Sequence, residues 1–158
     1  MKGEYKPFDK QTYAENNQKA IDAVLKYLPG SVENVKDKYG PDIIAMKGFR
    51  KSHYVEVEIK YNWKPHQDYF PFDTVQLPER KSKFTKLDLP IEFWILRPDL
   101  FMAVIIAGSL LKDDLLVEVP NRLVNKGELF HKIPVSECRI VDMRLGLKSG
   151  TYVSEGDK

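Results

Sequence analysis

Residues 54–60 read YVEVEIK, and that alternation restricts the chain more than any other stretch. A period of two sends Val55, Val57 and Ile59 to one side of a strand and Tyr54, Glu56, Glu58 and Lys60 to the other. Two of the three apolar positions are valine and the third isoleucine, whose branched side chains favour a pleated, half-buried surface over a helix. A sheet with at least one covered face is therefore required. The opposite face lines up two acids and a lysine. It is either a solvated sheet surface or a set of carboxylates able to hold a cation.

Elements to cover such a sheet are present. Tyr13, Asn17, Ala20, Ile21, Val24, Leu25 and Leu28 fall on one helical face behind Asp9, a candidate N-cap, and Pro29-Gly30 stops the helix. PDIIAMKG is a short buried strand, followed by a turn around GFRKS. FDTVQLP is a third strand, ERKSKFTKL a short helix, and PIEFWILRPD and LFMAVIIAG two strands joined at Arg97-Pro98-Asp99-Leu100. Further strands are expected near 116–119 and 139–143, and a loose end beyond Gly146. The order implies an α/β (α+β) single domain spanning 1–158, with the N-terminal helix packed on a mixed central sheet. Its core covers about 9–107, with accessory strands in 108–146 and a tail at 147–158.

Composition excludes several classes. With 158 residues, 42% hydrophobic and 30% charged, the chain suits one globular domain. The net charge of +2 permits an anionic partner without demanding one. A single cysteine, Cys138, rules out an intramolecular disulfide and favours a reducing compartment. The polar start does not read as a signal peptide, and LFMAVIIAGSLL is too short to span a bilayer. A soluble cytoplasmic protein with no membrane association is the expectation. His53, His66 and His131 lack zinc-ligand spacing, and no Gly-rich phosphate loop or nucleophile elbow occurs.

Three acid-x-lysine triplets occur: Glu4-Tyr5-Lys6, Glu58-Ile59-Lys60 and Glu79-Arg80-Lys81. Only Glu58 sits in a strongly alternating strand, and only it follows a strand opened by Pro41-Asp42. With the helix and strand order, these residues resemble the PD-(D/E)XK, or restriction-endonuclease-like, nuclease superfamily over about residues 9–107. The resemblance implies a restriction-endonuclease-like core. It also implies a Mg²⁺-dependent endonuclease in which Asp42 and Glu58 hold the metal and Lys60 stands beside the attacking water. Mn²⁺ is expected to substitute. Glu15, on the first helix, is a further candidate metal contact, by analogy with an acid that many members carry there. The chemistry suits the spacing, since Mg²⁺ takes oxygen ligands and an ammonium can offset charge on the phosphate.

Cations suited to a phosphate backbone cluster nearby. Arg80, Lys81, Lys83 and Lys86 follow the third strand, and Arg50 and Lys51 lie on a turn that reads as adjoining the site. Tyr61, Trp63, Tyr69, Phe70 and Phe72 crowd after the motif and are expected to be mainly core. The sequence thus suggests a DNA endonuclease of homing or restriction type, a homodimer if it cuts both strands. A Holliday-junction resolvase or repair nuclease of the same superfamily is the alternative. From another class, the alternative is a non-catalytic nucleic-acid-binding or assembly module.

Overall fold

The computed structural model describes residues 10–112, 116–119 and 128–144. Asp9 and the tail at 147–158 lie outside them. The fold is α+β. Among the described residues an α-helix, α1 (Lys10–Tyr27), precedes nine strands: β1 (Val32–Glu33), β2 (Ile43–Lys47), β3 (Arg50–Ile59), β4 (Thr74–Pro78), β5 (Ile91–Leu96), β6 (Met102–Ala107), β7 (Leu116–Val119), β8 (Glu128–Pro134) and β9 (Arg139–Asp142). A 3-10 helix, η1 (Glu79–Lys86), follows β4 directly.

Six strands form a mixed sheet in the order β1-β2-β3-β5-β6-β9. The hairpin β2–β3 is antiparallel, β3 and β5 run parallel, and β5–β6 and β6–β9 are antiparallel. The remaining three make a second sheet, β4-β8-β7. FDTVQLP is therefore a strand, as expected, but it leaves the main sheet. Val75 pairs with Ile133 and Leu77 with His131 in β8, a strand that the sequence pattern does not single out. Alternation tells which residues of β4 are buried; it cannot tell which partner they are buried against.

Each face of the main sheet is covered by its own apolar cluster. On one side Ala20, Ile21 and Val24 of α1 pack on Ile43, Val55, Val57, Trp94, Leu96 and Ile105. Val55 and Val57 are 0% and 2% exposed, and full burial of such side chains contributes about 1.5–3 kcal/mol each. The helix ends where Pro29 cannot continue it, and Gly30 turns the chain with φ +87. On the other side Val75, Leu77, Ile133 and Phe84 pack on Ile91, Phe93, Ile95, Val104 and Ile106. The sheet is thus the middle of three layers, and the acid-bearing face of β3 looks toward β4 and η1, away from α1.

Arg97, at the β5–β6 turn, is 2% exposed. Its Nη1 donates to Gln67 O (2.8 Å) and Asp68 Oδ1 (3.1 Å), and its Nε to Asp99 Oδ1 (2.9 Å). It ties the loop after β3 to the main sheet. That loop corrects the expectation of an aromatic core. Trp63 and Phe70 are buried, but Tyr61, Tyr69 and Phe72 are exposed.

Candidate functional site

Pro41 and Asp42 are held at the mouth of β2 by Asn34, whose Nδ2 donates to Pro41 O (2.9 Å) and whose N–H donates to Asp42 O (2.9 Å). Asp42 Oδ2 accepts the backbone N–H of Val57 across the hairpin at 2.8 Å. Ile43 pairs with Val55, so the carboxylate one residue earlier comes up beside Glu56. The two carboxyl groups lie within hydrogen-bonding reach of each other. Glu56 is 8% exposed, and its Oε1 is buried without a donor. Between two carboxyl groups only a proton or a cation can bridge.

The cation in place is Lys81, from η1. Its ammonium bonds Glu56 Oε2 and stands 3.3 Å from Glu58 Oε2. Burial, reinforced by the Asp42 charge and only partly offset by Lys81, pushes the Glu56 carboxyl up to about 7. Asp42 is raised as well, by burial that its bond from Val57 does not cancel. Burial opposes the Lys81 ammonium, but Glu56 and Glu58 outweigh it and raise its pKa. Lys38, Tyr39, Gly40, Arg80, Lys83 and Phe84 complete a cavity of about 260 Å³ over Asp42, Glu56 and Lys81. A second hollow of about 200 Å³ runs from Glu58 to Tyr13, Asn17 and Tyr61.

The residues singled out by sequence are distributed as follows. Asp42 and Glu58 flank Glu56 on one face of the β2–β3 hairpin. Lys60 follows the end of β3; its N–H donates to Leu96 O (2.9 Å), and its ammonium lies 5.2 Å from the centre of the Phe72 ring. Glu15 is exposed on α1, which covers the opposite face, and it accepts from Gln11 Nε2 at 3.3 Å. Arg80, Lys81 and Lys83 line the cavity, whereas Lys86 is exposed outside its lining. Arg50 and Lys51 do not adjoin the acids, because the β2–β3 turn lies at the far end of both strands from Asp42 and Glu56. Sequence reasoning underweighted Glu56, although the period of two already placed it on this face. It also gave Lys81 only a backbone-binding role, because contact between η1 and β3 is a tertiary fact.

Among the described residues no three His, Cys, Asp or Glu side chains are grouped so as to hold a metal ion as they stand; Lys81 occupies the space between Glu56 and Glu58. The donor set nonetheless fits a small divalent cation. It offers hard carboxylate oxygens, one of them buried and unpartnered. No described helix is long and apolar enough to cross a membrane. In comparisons with known proteins, no family model and no curated protein matches the chain.

Proposed function

We propose that this protein is a divalent-metal-dependent endonuclease acting on DNA. The observation that carries the reading is the buried carboxyl pair Asp42–Glu56 beside Glu58, with an unpartnered Glu56 oxygen and a lysine-lined cavity above it. In this reading Asp42, Glu56 and Glu58 would hold Mg²⁺ or Mn²⁺, which when bound would supply Lewis acidity and lower the pKa of water. The chain's own residues do the rest. The Val57 N–H fixes the Asp42 carboxylate by one of its oxygens. Val55 and Val57, locked under α1, keep the strand stiff. Arg80, Lys81 and Lys83 receive the phosphate backbone from the cavity side, and Lys81, released from Glu56, places positive charge against the reacting phosphate. The described residues of one chain offer one such cluster, so cutting both strands of a duplex calls for two copies. Restriction or homing activity and junction resolution both fit this chemistry.

A second reading is favoured by the Lys81 bonds to Glu56 and Glu58, which already offset part of the acids' charge. In it the cluster is structural and the protein is a non-catalytic nucleic-acid-binding or assembly module. The two readings part in a cleavage assay on supercoiled, linear and four-way-junction DNA with Mg²⁺ or Mn²⁺. Wild-type protein should cut, and Glu58→Gln and Lys81→Ala should each lose at least about a hundredfold in rate, roughly 2.7 kcal/mol of transition-state stabilisation. Lys60→Ala should stay within a few-fold; the reverse order would move the acting lysine back to Lys60. No cutting of any substrate with either metal refutes the nuclease and leaves the module.

A further inference from the structure

The β2–β3 turn carries a residue that the fold does not use. Lys47 pairs with Arg50, leaving Gly48 and Phe49 as a two-residue loop. Gly48 has φ +65 and Phe49 does not enter the positive region, the pattern of a hairpin turn with glycine first. The second position of such a turn needs no apolar side chain. Phe49 is nevertheless 103% exposed, and no ring or cation contact involves it among the described residues. It stands among Lys47, Arg50 and Lys51, all exposed, and none of the three forms an ion pair among the described residues.

The strands below are anchored in the core at Ala45. Ala45 is buried against the helix-side core. The pairing shifts by one residue between Ala45 and Met46, so that His53 faces Ala45 while Lys51 faces Met46. This bulge turns Lys51 to the side away from Ala45, the side on which Glu56 lies. Bulges commonly re-aim a side chain in this way.

We propose that Phe49 is a stacking residue for nucleic acid, inserted against or between bases while Lys47, Arg50 and Lys51 hold the adjoining phosphates. A planar ring at a rigid tip meets the π-face of any base, and three cations within five residues meet the backbone. Glu56 lies seven positions further along the chain, about 23 Å of extended strand at about 3.3 Å per residue. A strand of B-form DNA rises about 3.4 Å per nucleotide, so the stacked base and the phosphate above the acid cluster are about seven nucleotides apart. This contact does not depend on cleavage and is testable without metal.

The experiment uses the full chain in EDTA with duplex and single-stranded oligonucleotides of about twenty nucleotides. Phe49→Trp supplies a surface indole, while the native Trp63 and Trp94 are buried at 0% and 2% exposure and report little. DNA should quench the new indole, and Phe49→Ser should bind about tenfold more weakly by anisotropy, with an unchanged melting temperature. Quenching with no cleavage in Mg²⁺ would sustain this proposal and sink the nuclease reading; cleavage without quenching would do the opposite. Unaltered DNA affinity in Phe49→Ser overturns the proposal, as does quenching by phosphatidylglycerol vesicles and not by DNA.

Discussion

Replacing Glu56 with glutamine tests the site through stability, before any substrate is known. In the folded protein the Glu56 proton is held up to about 7, against 4.5 for an unperturbed glutamate. The folded state therefore binds this proton more tightly than the unfolded chain does. For a raised carboxyl, stability is fully present below about pH 4.5 and falls as pH rises through about 7, because only the unfolded state has released its proton in that interval. At 1.36 kcal/mol per pH unit the loss is about 3 kcal/mol. Urea titrations of wild type and Glu56→Gln in EDTA, followed by tryptophan fluorescence at pH 5, 6, 7 and 8, should diverge by about 2.5 kcal/mol across the series, since pH 5 already lies inside that interval. The variant keeps the slope of Asp42, which is raised in the same direction. Saturating Mn²⁺ should remove most of the wild-type slope, since it binds the ionised acids and stabilises the fold by about 2.7 kcal/mol at a hundred times Kd. Parallel curves for the two proteins in EDTA would show that Glu56 is not held protonated by its surroundings, and the account of the cluster would fail.

Two further measurements bear on the surroundings of the site. Replacing Lys83 with alanine should flatten the slope of log affinity for DNA against log salt by about one unit, if its ammonium meets one phosphate above the cavity. Burial, with the Glu137 charge beside it, pushes the Cys138 thiol up to about 11. Its alkylation at pH 8 should therefore run about a hundredfold slower than that of an ordinary thiol and accelerate only near pH 11; ordinary reactivity at pH 8 would contradict the packing around β9.

The parts of this molecule that the sequence makes legible are those written in local period. YVEVEIK identifies β3 and its two faces, PDIIAMK gives β2 with Asp42 at its mouth, and the Arg97–Leu100 turn separates β5 from β6. The acids Asp42, Glu56 and Glu58 meet because hairpin register is local. Lys60 is different. The regular pairing of β3 ends at Ile59; the Lys60 N–H still bonds Leu96 O, but its ammonium lies over Phe72, a contact that the two-residue period does not announce. Lys81 comes from η1, and nothing between residues 58 and 81 indicates how close the two segments lie. The turn at 48–49 is also plain in the sequence, but its distance from the acids follows only from which ends of β2 and β3 carry them.

The pairing of β4 with β8 has a consequence for how the chain reaches this arrangement. Those strands are more than fifty residues apart in sequence, whereas β2 and β3 are joined by two residues. Closing a long loop costs more entropy than closing a short one, and non-local pairings slow folding. The hairpin bearing Asp42, Glu56 and Glu58 should form early, as a solvated ribbon whose carboxylates repel one another. η1 leaves directly from β4 and should be locked in place only when β8 arrives. Lys81 should then reach Glu56 in the same event that buries it, so the partial neutralisation of the acids should come with the late closure of the second sheet.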